Sequence, residues 1–195
     1  MKSDSIQKLK EKIKELCENQ EFIHYRWFFR YHLEIVEKIS LELCDVYRNA
    51  DRDLVLMMVW MHDYGKIVNF NDQYLETLGS GLEFLTKLGF DREISQKVID
   101  RIEIIDKKEN VETAQIEVQI ISSADGAAHL VGPFFYLWWY ENYKKEFEVL
   151  MDDNREKLLK DWKRKIVIPE VKKSFENRYD FLLEQCGNFP EKFLL

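Results

Sequence analysis

The chain has 195 residues and a formal net charge of -7; it is 46% hydrophobic and 33% charged, with 7 glycines, 3 prolines and 3 cysteines. That length and apolar content allow a real core and exclude a disordered chain, a collagen-like chain and a small disulfide scaffold. The acidic balance argues against long nucleic acids and anionic membrane surfaces, which are held by clustered Lys and Arg, and leaves room for a local basic pocket.

The first proline is Pro133, so 132 residues run without an obligatory helix breaker, and an all-α fold is expected. Residues 4–19 carry Ile6, Leu9, Ile13 and Leu16 at helical spacing. A second helix is predicted from about Trp27 to Tyr47, with Phe28, His32, Ile35, Val36, Ile39 and Leu43 on one stripe. Asp51–Asp53 offer caps for a segment apolar on nearly all sides, Leu54 to Met61, which predicts a buried central helix ending by Gly65. After a polar loop at Asn69, Asn71 and Asp72, a helix near Gly81–Leu88 stops at Gly89, and Asp91 caps the next through Ile94, Val98, Ile102 and Ile105. Glu112 or Thr113 opens a helix through Ile116, Ile121, Asp125 and Leu130 that Gly132-Pro133 ends. Pro133 then suits the first turn of an aromatic helix, and further helices are predicted at about 153–165 and 170–186. No linker, repeat or strand pattern divides the chain, so one helical domain, 1–195, is expected.

Cys17, Cys44 and Cys186 are odd in number and show no C-x-x-C spacing, which predicts reduced thiols rather than disulfides or a thiolate zinc site. No apolar run reaches the length of a membrane span and the N-terminal segment is charged throughout, so a soluble, cytoplasmic protein is expected.

The chain has four histidines, His24, His32, His62 and His129. His62 precedes Asp63 at the end of the most apolar helix. An imidazole and a carboxylate there are either satisfied locally, by a backbone carbonyl and by capping, or share a divalent cation. His32 lies on an apolar stripe, where a satisfied core histidine is the common outcome. Asp125 lies on IISSADGAAHL, a buried face with no Lys or Arg in the segment to offset its charge. Together, His32, His62, Asp63 and Asp125 make two imidazoles and two carboxylates on three apolar helices. Such a set suits one first-row divalent ion with open positions for water.

In order, YHLEIV, MHDYGK and SSADGAAH resemble the H…HD…D signature of the HD-domain metal-dependent phosphohydrolases, and GSGLEFLTKLGFDREISQKVIDRI resembles that family's spacer. The resemblance covers roughly residues 25–135, leaving about 136–195 as a C-terminal helical extension. It implies an HD-domain-like helical bundle, a divalent metal (Mn, Co, Ni, Mg, Zn or Fe) held by His32, His62, Asp63 and Asp125, and hydrolysis of a phosphate ester or anhydride by metal-activated water. Family members with two metals supply further histidines after the HD pair. Here none lies between His62 and His129, and Asp106 stands where one is often found, which points to one metal and away from the cyclic-dinucleotide branch. Lys66 stands where another branch carries a glutamate.

Asp63 and Lys66 are the expected catalytic residues, with Lys66 also contacting phosphate as a point charge. His129, four residues beyond Asp125 and on the same face, is the expected second substrate contact, as a phosphate contact, a general acid or an outer-shell partner. A solvated Lys66 and a core or interface His129 are the plain alternatives. Glu117 reads as solvated, the KDWKRK segment as an exposed face, and His24 has no context that marks it. The aromatic block Phe134–Tyr143 reads as core with one or two pocket-wall residues, and it leaves a homodimer open. The function expected is phosphohydrolysis of a small metabolite such as a nucleotide. The alternatives are a catalytically silent HD-like module that binds a ligand or partner, and a purely structural helical protein.

Overall fold

The computed structural model describes residues 3–107 and 110–194; the terminal bounds of the expected domain, 1 and 195, lie outside them. Its elements are α1 (Ser3–Cys17), a π-helical turn (Phe29–Leu33) leading into α2 (Glu34–Val46), α3 (Arg52–Met61), α4 (Tyr64–Val68) and a 3-10 turn (Phe70–Asp72). Then come α5 (Gln73–Lys87), α6 (Arg92–Lys107), a 3-10 turn (Val111–Thr113), α7 (Ile116–Ala128) and α8 (Phe134–Glu141). The chain finishes with α9 (Phe147–Lys160), a second π-helical turn (Asp161–Lys165) and α10 (Pro169–Gln185). No strand occurs among the described residues, as the sequence predicts.

The near-continuous apolar run explains why α3 is central. Leu54, Val55 and Met57 to Met61 are all buried, and α3 packs against α1, α2, α6 and α7. Its start is fixed twice: the Asp51 side chain accepts from Leu54 N, and Asp51 N donates to Glu117 Oε1 at 3.0 Å. Glu117 is therefore not solvated. It is buried and paired with Arg101 at 3.0 Å, because its helix turns toward α6 and the α3 N-terminus.

Asp91 caps α6 by accepting from Glu93 N and Ile94 N, and Gly89 takes φ 90° just past α5, both as predicted. Several boundaries differ. The α5 helix starts at Gln73, eight residues before the predicted start, and its N-terminal turns carry Thr77, which is buried against α4. Gly65 permits that approach: its N–H donates to Thr77 Oγ1 at 3.0 Å, and a Cβ there would lie 1.8 Å from the Gln73 carbonyl oxygen. The predicted 27–47 helix opens with a π turn, and the predicted 153–165 helix begins at Phe147 and closes in one.

The C-terminal elements dock on α7. Ser122 Oγ donates to the Lys165 carbonyl at 3.0 Å, while Ser123 Oγ accepts from Val167 N and Ile168 N at 3.0 and 3.1 Å. Gly126 leaves the space these contacts need, since a Cβ there would meet Ile166 Cγ1 at 2.8 Å and Lys165 Cβ at 3.0 Å. The three cysteines are free and buried. Among the described residues, no helix is long and apolar enough to cross a membrane.

Candidate metal centre

Three elements bring the expected ligands together. The first π turn carries His32, the end of α3 and the step into α4 carry His62 and Asp63, and α7 carries Asp125. Each is placed by a local cause. His62 is the C-cap of α3, and its Nδ1–H donates to the Val59 carbonyl at 2.8 Å, one of the helix-end carbonyls left without an intrahelical donor. That bond fixes the tautomer and leaves the Nε2 lone pair for the cluster. Asp63 breaks the helix with φ -112° and ψ 16° before the chain turns into α4.

The polar atoms converge. His32 Nε2 lies 3.2 Å from Asp63 Oδ2 and 3.6 Å from Asp125 Oδ1, and His62 Nε2 lies 3.3 Å from Asp63 Oδ2. His129 joins them, its Nε2 at 3.5 Å from Asp125 Oδ1 and its ring stacked on His32 with centroids 5.0 Å apart. Among the described residues, two triads could hold a metal ion: His32, His62 and Asp63, and His32, Asp125 and His129. The two triads share His32 and differ in their other members.

The electrostatics fit a cation at that point. His62 Nε2 and Asp125 Oδ1 are buried and have no hydrogen-bond partner among the described residues, a costly state for groups of the kind that bind a metal ion. Burial alone would lower His62, yet the charges of Asp63 and Asp125 outweigh it and raise its pKa, so the carboxylates draw positive charge toward this nitrogen. Burial wins at His32, which is lowered and stays neutral. Both carboxyl groups resist the upward push of burial and are held well below the usual range, Asp63 by Lys66 and His62, Asp125 by Lys165 and the histidines.

Each carboxylate is divided in the same way. Asp63 turns Oδ2 to the histidines while Oδ1 pairs with the Lys66 ammonium at 2.6 Å. Asp125 turns Oδ1 to the histidines while Oδ2 pairs with Lys165. Lys165 corrects the reading of KDWKRK as an exposed face and supplies from another segment the counter-charge that Asp125's own segment lacks. The second π turn points Asp161 and Lys165 inward and Lys163 and Arg164 outward. Burial would lower Lys165, but Asp125 and Asp161 raise it instead.

Behind His129 stands a further polar group. Asp161 Oδ2 accepts from His129 Nδ1 at 2.8 Å and from Lys157, whose ammonium also lies 2.9 Å from that ring nitrogen. Burial, then the Lys157 charge, pushes His129 down to about 3, and burial pushes Lys157 down to about 8. Sequence reasoning missed Lys157, Asp161 and Lys165; the small polar face Ser122, Ser123 and Gly126 beside Asp125 was the available sign that another segment docks there.

His62, Asp63, Asp125 and His129 line a cavity of about 560 Å³, while His32 is fully buried and does not. Aromatic side chains Trp27, Phe28, Phe70, Phe134 and Trp138 line it, with Lys66, Lys145, Lys157 and Lys160 among its cations. Three residues of the aromatic block, Phe134, Phe135 and Trp138, line the cavity, one more than the one or two expected, and Tyr136, Tyr140 and Tyr143 are exposed. His24 also lines the cavity; its Nδ1 donates to Glu141 at 2.6 Å, beside a Trp27 indole bond to the same carboxylate at 2.7 Å. Asp106, on α6, reaches the same cavity.

Known protein families, curated proteins and solved structures contain no match to this chain.

Proposed function

We propose that this protein is a metal-dependent phosphohydrolase that cleaves a phosphate ester or anhydride of a small metabolite such as a nucleotide, with one divalent ion at the His/Asp cluster. The observation that carries this reading is the gathering of His62, Asp63, Asp125 and His129 on the lining of a lysine-bearing cavity, with His32 buried within 3.2 Å of Asp63 and 3.6 Å of Asp125. The ligands would be His32 Nε2, His62 Nε2, Asp63 Oδ2 and Asp125 Oδ1. A bound divalent ion supplies Lewis acidity, acidifying water and offsetting charge on a phosphoryl oxygen.

The chain's own residues do the rest. Lys66, half-buried against Phe28 with its ammonium 5.3 Å from the ring centroid, holds Asp63 in place and offers its remaining N–H donors to a phosphate. His129 contacts the substrate through Nε2 while Asp161 holds its other nitrogen, which sets the ring orientation. The aromatic walls exclude water and take a planar group by stacking. The alternative is a catalytically silent module; the presence of all four expected ligands together with Lys66 favours catalysis.

The test is elemental analysis of purified protein, followed by a phosphate-release screen over nucleotides and sugar phosphates with Mn, Co, Ni, Mg, Zn or Fe added. Metal and activity are expected in wild type, with both lost in Asp63→Ala and Asp125→Ala. Wild type that binds no metal and releases no phosphate refutes the proposal.

A further inference from the structure

The second π turn brings two charged groups into a buried space. Lys165 Nζ pairs with Asp125 Oδ2 and lies 4.0 Å from Asp161 Oδ1, an oxygen that is buried without a hydrogen-bond partner among the described residues. Lys165 is 13% exposed, against 6% for Asp125 and 1% for Asp161. Its ammonium therefore stands between two buried carboxylates, on the side of Asp125 that faces away from His32. The position is rigidly set, because the Lys165 carbonyl accepts from Ser122 and its Cβ packs over Gly126.

Two carboxylate oxygens facing one buried point are the donors that a divalent cation takes. The His32 side of Asp125 already offers one such point. Without Lys165, Asp125 would bridge two cation positions, as carboxylates do in two-metal sites.

We infer that Lys165 is a built-in cation that restricts the centre to one divalent ion, because its ammonium fills the space between Asp125 and Asp161 that a second ion would take. Lys165 is a positioning residue here: it keeps Asp125 to one coordinating oxygen and gives the second carboxylate oxygen a fixed partner. The inference rests on the metal reading proposed above. It adds a stoichiometry and assigns it to a side chain from the C-terminal extension, outside the segment that resembles the HD-domain family.

The experiment counts ions. Metal-free protein is titrated with Mn2+ by equilibrium dialysis with elemental analysis, and the loaded samples are read by electron paramagnetic resonance, where a close pair of Mn2+ ions gives a coupled spectrum. Wild type is expected to hold one ion per chain with an uncoupled signal. Lys165→Met, similar in length and uncharged, should hold two with a coupled signal, and its melting temperature should rise further with the second equivalent. Lys165→Gln, which keeps a hydrogen-bond donor without the charge, should also hold two; it serves where the methionine variant does not fold. Adding Asp161→Asn to either should return the count to one.

Wild type with one ion and both lysine variants still at one overturns this inference and leaves the proposed function standing. Two ions in wild type also overturn it, and none overturns both. If neither lysine variant folds with or without Mn2+, Lys165 acts as a structural ion-pair partner and the inference is likewise refuted.

Discussion

Replacing Gly65 by alanine tests how the HD turn is held. A Cβ at this position would lie 1.8 Å from the Gln73 carbonyl oxygen and 2.5 Å from Thr77 Oγ1, where ordinary contacts begin near 3.4 Å. The gap between α4 and α5 would have to open by about 1.6 Å, and the obstacle is backbone rather than a movable side chain. Opening it breaks the Gly65 N–H bond to Thr77 and strands a buried donor, worth ~1–3 kcal/mol, on top of ~1–3 kcal/mol of overpacking. Alanine's better helix propensity returns at most ~1 kcal/mol. A net loss of ~1–6 kcal/mol lowers the melting temperature by ~2–24 °C for a chain of this size. Gly79→Ala is the internal control: it makes the same exchange within α5, its Cβ meets nothing within 4 Å, and it should raise the melting temperature slightly. Thermal unfolding followed by circular dichroism reads both. A Gly65→Ala melting point within 2 °C of wild type, or equal shifts in the two variants, would show that the close approach does not govern this turn.

Glu117→Ala leaves the buried Arg101 guanidinium unpaired and the Asp51 N–H without its acceptor, so it should destabilise by ~3–5 kcal/mol in denaturant titration. Its metal content should stay at the wild-type level, because Glu117 lies two turns from Asp125 along α7. Under the proposed function, Lys66→Ala should lower kcat/KM by ~10–100-fold through loss of a charged phosphate contact, while the protein still binds its ion. Burial, helped by Asp63 and Glu18, pushes the Cys17 thiol from 9.0 up to about 12. From pH 9 upward the unfolded chain therefore releases a proton that the native state keeps, and stability falls with rising pH; the fall should be shallower in Cys17→Ala. All three thiols should resist a water-soluble disulfide reagent in the native state and react together on unfolding.

The residues that were legible in the sequence are those whose signal is local. The central α3 follows from an apolar run, and the caps at Asp51 and Asp91 follow from residue type just before a periodic stretch. His32, His62, Asp63 and Asp125 stood out because each is a polar group on an apolar helix. Asp161 and Lys165 gave no such signal. They sit among Lys160, Lys163 and Arg164, so at α-helical spacing the segment reads as a solvated face. Positions 161 and 165 are four apart and share one face, and the π turn, closed by Ile166 N donating to Asp161 O, sets that face inward against α7. Lys165 meets Asp125, 40 residues away, and Asp161 meets His129, 32 residues away, distances over which a single sequence carries no pairing information. Glu117 was misread for the same reason, since Arg101 belongs to another helix.

The pairing of Asp125 with Lys165 also orders events while the chain is being made. Asp125 is synthesised 40 residues before its counter-charge, on a helix whose remaining face is already apolar enough to be drawn into a core. Burying that carboxylate before Lys165 exists would leave its Oδ2 without a counter-charge away from water, so α7 should settle fully against α2 and α3 only after residue 165 has been made. The closing of the bundle is thereby tied to the arrival of its last helices, and a nascent chain halted short of them would keep its centre open to water.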